Sequence, residues 1–473
     1  MRKLDLALIL LSFLIAFASC TKENLVQISD VLKEVRVTDD NNKLRNTVEI
    51  QMKEPASVQV RYWKSGNEEA ALTTPFTEET LNQSVKLILL EPDTLYNFRV
   101  TTKNSSGIFQ SDVFSFNTRS LPEGLSPFEN KLPDSKFRFK GYINIATKPE
   151  NSYLYLINDK GKIVWYQSAE NKTIVNSTFD PLHNTFQCIL GQNPNEQFGG
   201  DEILVLDLYG NTIFKRNYDK LKNPDVHHDF KRLPNGDLIT INRYKKEFDL
   251  SSKGGGTNDV VNGDGLTVMD LDGNVKWEWN CFSAINPLDY SFIMDAPSGM
   301  ELSPRDDLMH ANSVTLDTDG NYLMTFNRIN QLWKIDSNTG HVYYKLGLNG
   351  DINMSEDGYT SGIHSAHINP DGEIMVVDNG KINKQTRAVS YMVDETSKTA
   401  VVKKNIKFPK DLFTMNQGSG YMIDSQHVLF GSTMSETMAI TDLSGIPAWQ
   451  YQTDKKFYRA YYINEIDLTK SPN

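Results

Sequence analysis

The sequence predicts an all-β protein, a six-bladed β-propeller preceded by a small N-terminal β-sandwich. Three observations support this prediction. Short stretches of alternating apolar and polar residues fill the region from about residue 25 to 120. A turn followed by an aromatic-rich strand then recurs six times in the remainder of the chain. No stretch sustains the periodicity of an amphipathic helix, so a helical solenoid is excluded.

Length and composition are those of a folded protein with more than one domain. The chain has 473 residues, of which 23% are charged and 10% are aromatic. A single hydrophobic core rarely grows to that size. The formal net charge is −11, and no basic patch suited to phosphate groups stands out. Nucleic acid is therefore excluded as a partner.

Residues 1–19 are organised as a secretory signal peptide, with a basic start and an apolar run from Leu6 to Phe17. The run is too short for a membrane-spanning helix. Small residues directly before Cys20 resemble a bacterial lipoprotein cleavage site, which predicts that Cys20 is acylated as the mature N-terminus. The expected location is the bacterial cell envelope, as an outer-membrane lipoprotein held by its lipid anchor only and facing the periplasm or the cell surface. Plain secretion with an incidental cysteine is the alternative.

Residues 20–122 are predicted to form the β-sandwich, which resembles a fibronectin type III domain. Turn-forming residues separate four alternating stretches: Ser57–Trp63, Ser84–Leu90, Tyr96–Asn104 and Ser111–Thr118. The run from Leu90 to Tyr96 is similar to the corner of fibronectin type III domains, where a tyrosine hydroxyl ties a loop back to the backbone. We interpret this domain as a spacer or as the contact surface of a homodimer. The proline-containing residues 123–134 are the predicted linker.

Residues 135–473 are predicted to form the propeller. Six copies of a turn followed by a strand recur at spacings of roughly 50–65 residues, which is typical of a radial array of four-stranded blades. The copies are Ile157–Gln167, Leu206–Arg216, Met269–Asn280, Ile335–Gly347, a degenerate Val393–Lys404, and Thr441–Gln452.

A second unit recurs between these copies and is interpreted as the innermost hairpin of a blade. It is seen at Arg232–Arg243, Leu316–Arg328 and Ile368–Gly380. Each copy has a short apolar run on either side of a turn with Gly. The alternative to a propeller is an irregular all-β protein.

Polar residues concentrate at one register of these inner hairpins. Counting back eight residues from the turn glycine gives His228, Asn312 and His364. His310 lies two residues before Asn312, on the same face of the strand. Arg328 ends the second strand of that hairpin. Because the innermost strands line the central channel of a propeller, these side chains are predicted to converge near the axis at one end, as a site for an anion.

Other residues remain alternatives for this site. A single histidine is most often a satisfied polar or surface residue, whereas equivalent positions in three blades favour a shared role. His227 is an alternative to its neighbour, since a β-bulge would exchange the side chain that faces the axis. His367 is a second alternative. Arg243, at the matching position of another hairpin, is either a second anion contact or a rim residue. The remaining histidines are interpreted as structural: His183, His341 and His427.

Metal and cofactor chemistry find little support. Three histidines around an axis suit zinc or copper, but no acidic residue shares their register, and a dication would repel Arg328. The Asp-x-Asp-Gly turns lack the length and terminal Glu of a calcium loop. The chain has neither a serine nucleophile elbow nor a phosphate-binding Gly-rich loop followed by Lys. We predict neither a metal nor a cofactor.

Two cysteines follow Cys20, namely Cys188 and Cys281. They are too few for a disulfide scaffold or a CxxC metal site. In an oxidising envelope they either form one bridge or remain as two buried thiols, and the sequence favours neither.

These features resemble the bacterial arylsulfate sulfotransferase family, whose members need no nucleotide sulfate donor. The resemblance covers most of the chain. Its specific parts are His227–Asp229, Met309–Val314 together with Arg328, and His364 ahead of Val377–Gly380.

The resemblance implies both a reaction and roles for the site residues. In that family a channel histidine attacks the sulfur of an aryl sulfate and carries the sulfuryl group as a sulfohistidine. His364 matches that nucleophile by position. His228, His310, Asn312 and Arg328 match the residues around the sulfate. The implied partners are an aryl sulfate donor and a phenolic acceptor, in a ping-pong reaction without a cofactor.

The residues suit this chemistry. Sulfuryl transfer, like phosphoryl transfer, requires that charge on the equatorial oxygens be held while donor and acceptor stay in line. Arg328 offers a fixed fork of donors, and Asn312 a neutral one. A neutral imidazole is available near pH 7, because its unperturbed pKa is about 6.5. His228 or His310 can protonate the leaving phenolate and later deprotonate the acceptor.

The sequence also departs from the family. Enterobacterial members carry a close cysteine pair near the nucleophile, and Cys188 and Cys281 do not match it. The segment between Arg328 and His364 is short, so the loops that shape the acceptor pocket are expected to differ.

Two rival functions remain. One is a non-catalytic envelope propeller that binds a glycan or a protein partner. The other is a sulfatase-like hydrolase, against which the lack of a formylglycine motif counts.

Overall fold

The structure is a computed structural model that describes residues 31–148, 152–169, 171–191, 199–218, 226–297 and 302–470. The predicted signal peptide and Cys20 lie outside the described residues. Strands dominate the secondary structure. None of the helices in the described ranges has the length and apolar character needed to cross a membrane. The helical segments are short 3₁₀ turns: Glu68–Ala70, Ser251–Lys253, Cys281–Ser283, Pro287–Asp289, Glu356–Gly358 and Lys410–Leu412.

The N-terminal domain contains strands β1 to β7, which are Leu32–Asp39, Asn46–Lys64, Leu72–Thr73, Thr80–Leu87, Leu95–Asn104, Gly107–Gln110 and Phe114–Asn117. The long strand β2 joins the two halves of this domain. The first part of β2 pairs with β1 and β4, and the second part pairs with β3 and β5. Alternate residues of both parts, such as Val48, Ile50, Val58 and Val60, are buried in one shared core. This arrangement is consistent with the predicted β-sandwich.

The tyrosine corner predicted for this domain is present. The Tyr96 hydroxyl accepts a hydrogen bond of 2.9 Å from the backbone N–H of Glu91. The Tyr96 ring is buried and stacks on Phe116 at 5.6 Å between centroids. The hydroxyl thereby holds the loop before β5 against the sheet.

The second domain contains strands β8 to β33. In chain order they are Glu129–Asn130, Tyr142–Thr147, Tyr153–Ile157, Ile163–Ser168, Thr173–Asp180, Thr185–Gly191, Gly199–Gly200, Glu202–Asp207, Thr212–Asn217, Val226–Arg232, Leu238–Phe248, Asp259–Met269, Val275–Asn280, Ala311–Leu316, Tyr322–Phe326, Gln331–Ile335, Val342–Gly347, Ile363–Ile368, Ile374–Asp378, Arg387–Asp394, Thr399–Lys407, Ser419–Met422, His427–Ser432, Thr437–Asp442, Pro447–Gln452 and Phe457–Ile463.

Within the described ranges these strands form six antiparallel sheets, the blades of a propeller. From the axis outward, blade 1 is β33-β9-β10-β11 and blade 2 is β12-β13-β15-β16. Blade 3 is β17 to β20 with β14 beside β17, blade 4 is β21 to β24, blade 5 is β25 to β28, and blade 6 is β29 to β32 with β8 at its outer edge. The innermost strands contact their neighbours all the way round the axis. The predicted six-bladed propeller is confirmed.

The ring closes through the last strand of the chain. Strand β33 is the innermost strand of blade 1, where it pairs with β9, and it contacts β12 and β29 on its two sides. The first and last segments of the domain therefore share one sheet. This closure leaves no exposed edge at the axis.

Both recurrent turn motifs lie where the sequence predicted them. The six outer copies join the third and fourth strands of their blades, and the other unit forms the inner hairpins of blades 3, 4 and 5. In the outer turn of blade 3, the Asp270 carboxylate accepts hydrogen bonds from the N–H groups of Asp272 (3.0 Å) and Asn274 (2.9 Å). Gly273 in that turn has φ +85°, a conformation that glycine adopts at little steric cost.

The segment predicted as a linker packs against the propeller. Strand β8 lies within residues 123–134 and pairs with β32. Leu125 and Phe128 are buried among residues of blades 1 and 6. The apolar core of the N-terminal domain also continues into blades 1 and 2, where it includes Trp165 and Phe186. The two domains therefore share buried apolar surface.

Cys188 and Cys281 are both buried, unpaired thiols. Burial raises the pKa of both thiols, that of Cys188 to about 12. At neutral pH these groups are protonated and unreactive.

We predict that Tyr96→Phe lowers the free energy of unfolding by about 1 kcal/mol, because the Glu91 N–H loses its partner in a partly buried loop. Urea denaturation would measure the change. Tyr244→Phe, at an exposed tyrosine of β18, is the matched control and should leave the transition unchanged. Equal losses in the two variants would contradict a specific role for the tyrosine corner.

Candidate active site at one end of the propeller axis

The innermost strands of blades 3, 4 and 5 are irregular where the candidate histidines lie. The pairing of β17 with β18 shifts between Val226 and Phe230, and the pairings of β21 and β25 shift in the same way near their first residues. Three residues at these irregularities have positive φ: His228 (+58°), His310 (+56°) and Ser365 (+57°). Such a conformation is uncommon for residues with a side chain and often marks functional positions.

His228 lies within the candidate site, whereas His227 lies behind it. The His228 ring lies 4.9 Å from the His310 ring and 6.1 Å from the Tyr458 ring, between centroids. The His227 ring instead places Nε2 3.2 Å from an oxygen of Asp264. The Nδ1 atoms of the two histidines are 2.7 Å apart. A bulge is present, yet His228 still faces the other candidate residues and His227 lies behind it.

His310 is paired with a carboxylate that the sequence analysis missed. Its Nδ1 contacts Oδ2 of Asp307 within hydrogen-bond distance, and both groups are largely buried. Burial opposes the protonation of His310, but the charge and hydrogen bond of Asp307, with Asp264 in support, raise its pKa above 6.5. Burial likewise opposes ionisation of Asp307, but His310, followed by Arg243, lowers its pKa to about 2.

Arg328 is held beside this pair. Its Nε donates to the backbone carbonyl of Asp307 (2.8 Å), and a terminal nitrogen donates to the carbonyl of Leu302 (2.9 Å). The same terminal nitrogen lies 4.0 Å from the Asp307 carboxylate. The guanidinium is therefore fixed beside the same Asp307 that contacts His310. Arg243 lies near enough to Asp307 for its charge to lower that pKa.

His364 is buried and neutral. Its Nδ1 lies 3.3 Å from the carbonyl oxygen of Gly362 and 3.2 Å from the amide nitrogen of Asn327. Burial lowers the pKa of His364 well below 6.5, and the positive charges of Arg459 and His310 lower it further. When Nδ1–H donates to Gly362, the lone pair is on Nε2, which is the form of imidazole that acts as a nucleophile.

His367 lies further along the same strand. Its ring is 4.5 Å from the Tyr421 ring, and burial lowers its pKa to about 4. The positive charge of Lys231 lowers that pKa further. The charges of Arg459 and His310 act on the pKa of His364.

Asn312 lies behind the site. Its amide nitrogen donates to the carbonyl of Ile363 (2.8 Å), and its amide oxygen accepts from the Thr325 hydroxyl (2.7 Å). The side chain is fully buried. Asn312 thus ties blade 4 to the residue that precedes His364 in blade 5. Its predicted contact with an anion stays a prediction.

Asn327 and Lys381 reach His364 but were not predicted. The Asn327 amide nitrogen donates to Ile363 O (3.1 Å), and its amide oxygen accepts from Nζ of Lys381 (3.2 Å). A sequence signal for Asn327 exists, because Asn327 and Asn379 both stand seven residues after the glycine of their hairpin turn. In the structure Asn379 also bonds across to the next blade, at the carbonyls of Thr414 and Gln417.

Arg459 of the closing strand β33 is the other missed group. Its guanidinium lies 3.5 Å from the Asp229 carboxylate, donates to the Tyr461 hydroxyl (3.0 Å) and donates to the backbone carbonyl of Asn312. The Asp229 carboxylate in turn accepts from the N–H of Val314 (3.0 Å). This buried pair joins blades 1, 3 and 4 at the axis.

The other histidines occupy structural positions. His183 and His427 bond to Asp180 and Asp424 in inner hairpin turns. His341 packs against Tyr343 in an outer turn.

One group of acidic side chains in the described ranges has a spacing suited to a metal ion: Asp317, Asp319 and Glu395. The Lys334 ammonium lies among them, 2.8 Å from Asp317 and 2.6 Å from Asp319, and also pairs with Glu395. This one lysine offsets part of the negative charge of the three carboxylates.

Fold and site together define a six-bladed propeller with a buried, cation-rich histidine cluster at one end of its axis. The family model described as Arylsulfotransferase (ASST) matches residues 100–469. The chain therefore belongs to the arylsulfotransferase family. Membership supports aryl sulfotransferase activity, with an aryl sulfate as donor and a phenol as acceptor. No curated protein matches the chain.

Solved structures of other proteins show distant similarity. A protein of unknown function from Bacteroides caccae is 11% identical, with a TM-score of 0.43, over 69% of this chain and 100% of that chain. A streptogramin B lyase is 11% identical, with a TM-score of 0.36, over 70% and 88% of the two chains. A putative 6-phosphogluconolactonase from Bacteroides fragilis is 10% identical, with a TM-score of 0.36, over 87% and 98%. Similarity at this level carries no argument about function.

We predict that Asp229→Asn lowers the free energy of unfolding by about 3–5 kcal/mol, because it leaves buried Arg459 without its counter-charge, and that Arg459→Met costs less, because Lys231 remains 3.5 Å from the Asp229 carboxylate. The double variant should lose less than the sum of the two. Denaturant unfolding of all four proteins would measure the coupling. The exposed pair of Arg61 and Glu68 is the control, and Glu68→Gln should cost no more than about 1 kcal/mol. Additive losses at the buried pair would contradict the coupling.

Proposed function

We propose that the protein transfers a sulfuryl group from an aryl sulfate to a phenolic acceptor by a ping-pong mechanism, with His364 as the nucleophile. One observation carries the proposal: a buried imidazole with a depressed pKa lies among the positive charges of Arg459, His310 and Lys381. An aryl sulfate monoanion is attracted by those charges, while the imidazole keeps its lone pair.

In the first half-reaction, Nε2 of His364 attacks the sulfur and the bond between sulfur and the aryl oxygen breaks. The electron pair of that bond leaves on the phenolate oxygen. The imidazole ring becomes positively charged as the N–S bond forms, and Nδ1–H can share this charge with the Gly362 carbonyl at 3.3 Å. A protonated histidine nearby transfers its proton to the departing oxygen.

The sulfuryl oxygens carry the negative charge that builds up during transfer, and fixed cations lower its energy. Arg328 is suited to this task because carbonyl oxygens already hold its guanidinium in place. Neutral His228 adds an N–H donor, since burial and the charges of His310 and His227 lower its pKa well below 6.5. Little rearrangement is needed when the charge develops.

In the second half-reaction, a phenol enters and gives its proton to the histidine that protonated the donor. The phenol oxygen attacks sulfur, the N–S bond breaks, and its electron pair returns to Nε2 of His364. The acceptor oxygen attacks the sulfuryl group on the same face from which the donor oxygen departed. The free enzyme is then restored with no net change in protonation.

We further propose the cellular setting that the N-terminal sequence predicts, an outer-membrane lipoprotein acylated at Cys20 and facing the periplasm or the cell surface. Metabolic labelling with a fatty-acid analogue, compared with Cys20→Ser, would test the anchor. A homodimer formed through the N-terminal domain is a further expectation, which light scattering of the mature protein would test.

We predict that the wild-type protein releases nitrophenolate from 4-nitrophenyl sulfate faster when phenol is present, and that His364→Ala reduces this release at least about 10³-fold. His367→Ala is the matched control, a half-buried histidine on the same strand, and should retain most of the activity. Absorbance of nitrophenolate gives the rate. Loss in His367→Ala with retention in His364→Ala would reverse the assignment. No release from the wild type with any phenol would favour the non-catalytic binding propeller, and release indifferent to phenol would favour the hydrolase.

The covalent intermediate gives a second prediction. With donor and no acceptor, a peptide containing His364 should gain the mass of one SO₃ group, and added phenol should remove it. Mass spectrometry of protein digested at alkaline pH would detect the change. Modification of another residue, or none in an active enzyme, would contradict the sulfohistidine intermediate.

The depressed pKa of His364 also predicts a pH dependence. A lowered pKa keeps the imidazole neutral below pH 6.5, the usual midpoint for histidine. Turnover of 4-nitrophenyl sulfate should therefore persist on the acid side of pH 6.5. The profile of kcat/KM against pH measures this, and an acid limb at or above pH 6.5 would contradict a neutral, buried nucleophile.

A further inference from the structure

We infer that Asp307 is the positioning residue that makes His310, and not His228, the acid that protonates the leaving phenolate and the base that accepts the proton of the incoming phenol. The inference rests on the proposed function and deepens it. It depends on how the segment before β21 holds one carboxylate against a histidine and an arginine at once.

The carboxylate determines which ring nitrogen of His310 is engaged within the protein. Asp307 Oδ2 engages Nδ1, so Nε2 is the nitrogen that can exchange a proton with a ligand. The backbone around Asp307 is anchored as well, because its N–H donates to Ser303 O (3.1 Å) and the next N–H, of Leu308, donates to Asn262 O (2.9 Å). The carboxylate is therefore fixed in position before a substrate binds.

Asp307 also sets the distance between His310, the proposed acid, and Arg328, the proposed anion-binding group. Its backbone carbonyl accepts Nε of Arg328, while its side chain holds His310. The guanidinium and the imidazolium are thus both held by Asp307, and a terminal nitrogen of Arg328 also lies 4.0 Å from the carboxylate oxygen that contacts His310. A sulfuryl oxygen near Arg328 and an aryl oxygen near His310 belong to one sulfate ester, so this spacing suits the substrate.

The charged surroundings of the two candidate acids differ. His310 faces the carboxylates of Asp307 and Asp264, with Arg328 as the opposing charge and His228 as a neutral neighbour. His228 faces other bases and a cation: His310, His227, His364 and Arg459. Asp307 itself faces His310, His227, Arg243 and Arg328. Of these two histidines, only His310 has a carboxylate on its ring, and that contact favours its protonated form.

His310 loses one proton and regains one proton over the catalytic cycle. His310 begins as an imidazolium and gives the proton on Nε2 to the aryl oxygen as the S–O bond breaks. It is then neutral when the phenol arrives, and Nε2 accepts the phenolic proton as oxygen attacks sulfur. Asp307 remains ionised throughout, and its charge stabilises the imidazolium at both ends of the cycle.

The test compares two donors that differ in leaving group, 4-nitrophenyl sulfate and phenyl sulfate, with one fixed acceptor. Nitrophenolate is stable enough to leave without a proton, whereas phenolate is not. Asp307→Asn keeps the shape of the side chain and removes its charge. We expect kcat/KM to fall by about 10²-fold or more with phenyl sulfate and by less than about 10-fold with 4-nitrophenyl sulfate.

Two comparison variants make the result specific. Asp371→Asn, in the inner hairpin turn of blade 5, removes an exposed carboxylate at the other end of the strand and should leave both rates unchanged. His228→Asn should reduce both rates by a similar factor, because a donor to the sulfuryl group serves both substrates equally. Equal losses with the two donors in Asp307→Asn would mean that Asp307 is only structural, and would overturn the inference.

The pairing is also measurable without turnover. NMR titration of the His310 imidazole should give a pKa above 6.5 in the wild type and a lower one in Asp307→Asn. An unchanged pKa would overturn the inference even if activity fell.

If Asp307→Asn does not fold, the wild-type protein still tests the acid role of His310. Its kcat/KM should have an alkaline limb with phenyl sulfate that is weaker with 4-nitrophenyl sulfate. Wild type inactive on both donors would refute the proposed function and the acid role together, while the titration would still decide whether Asp307 holds His310 protonated.

Discussion

The ion pair between Asp229 and Arg459 holds the axis of this propeller together. Arg459 belongs to the strand that closes the ring, and Asp229 to the innermost strand of blade 3. Both groups also bond to blade 4, Asp229 at the N–H of Val314 and Arg459 at the carbonyl of Asn312. Removing two charges from water is costly, and the hydrogen bonds to blade 4 offset part of that cost. The strands that carry the histidines are positioned by the same contacts.

The histidines around the Asp229–Arg459 pair differ in their tendency to be protonated. His364 and His228 are buried among positive charges, which keeps both of them neutral. His310 is less deeply buried, and a contact with Asp307 reverses the effect of burial on its pKa. The proposed mechanism of sulfuryl transfer needs a lone pair on one histidine and a proton on another at the same pH. The placement of a single carboxylate supplies this difference.

Local pattern predicted much of the architecture because turns and strand alternation depend on neighbours in sequence. The six outer turns predicted the blades, and the inner hairpins predicted which strands face the axis. The register of His228 and His364 followed from the glycine of each hairpin turn. Asn312 shows the limit of this reasoning. It shares their register, but the structure turns its amide into the neighbouring blade, where it bonds to the carbonyl of Ile363.

The sequence by itself determined the fold class, the number of blades, and the end of the axis at which the histidines gather, since each depends on short-range periodicity. It also carried the family resemblance. Only the tertiary structure decided the partners of those histidines. Asp307 is only three residues before His310, but it lies outside the repeat, and only the fold shows that its carboxylate turns onto the imidazole. Arg459 is far from Asp229 in the chain, and their contact exists because closure of the ring brings distant segments into one low-dielectric space, where charge becomes decisive.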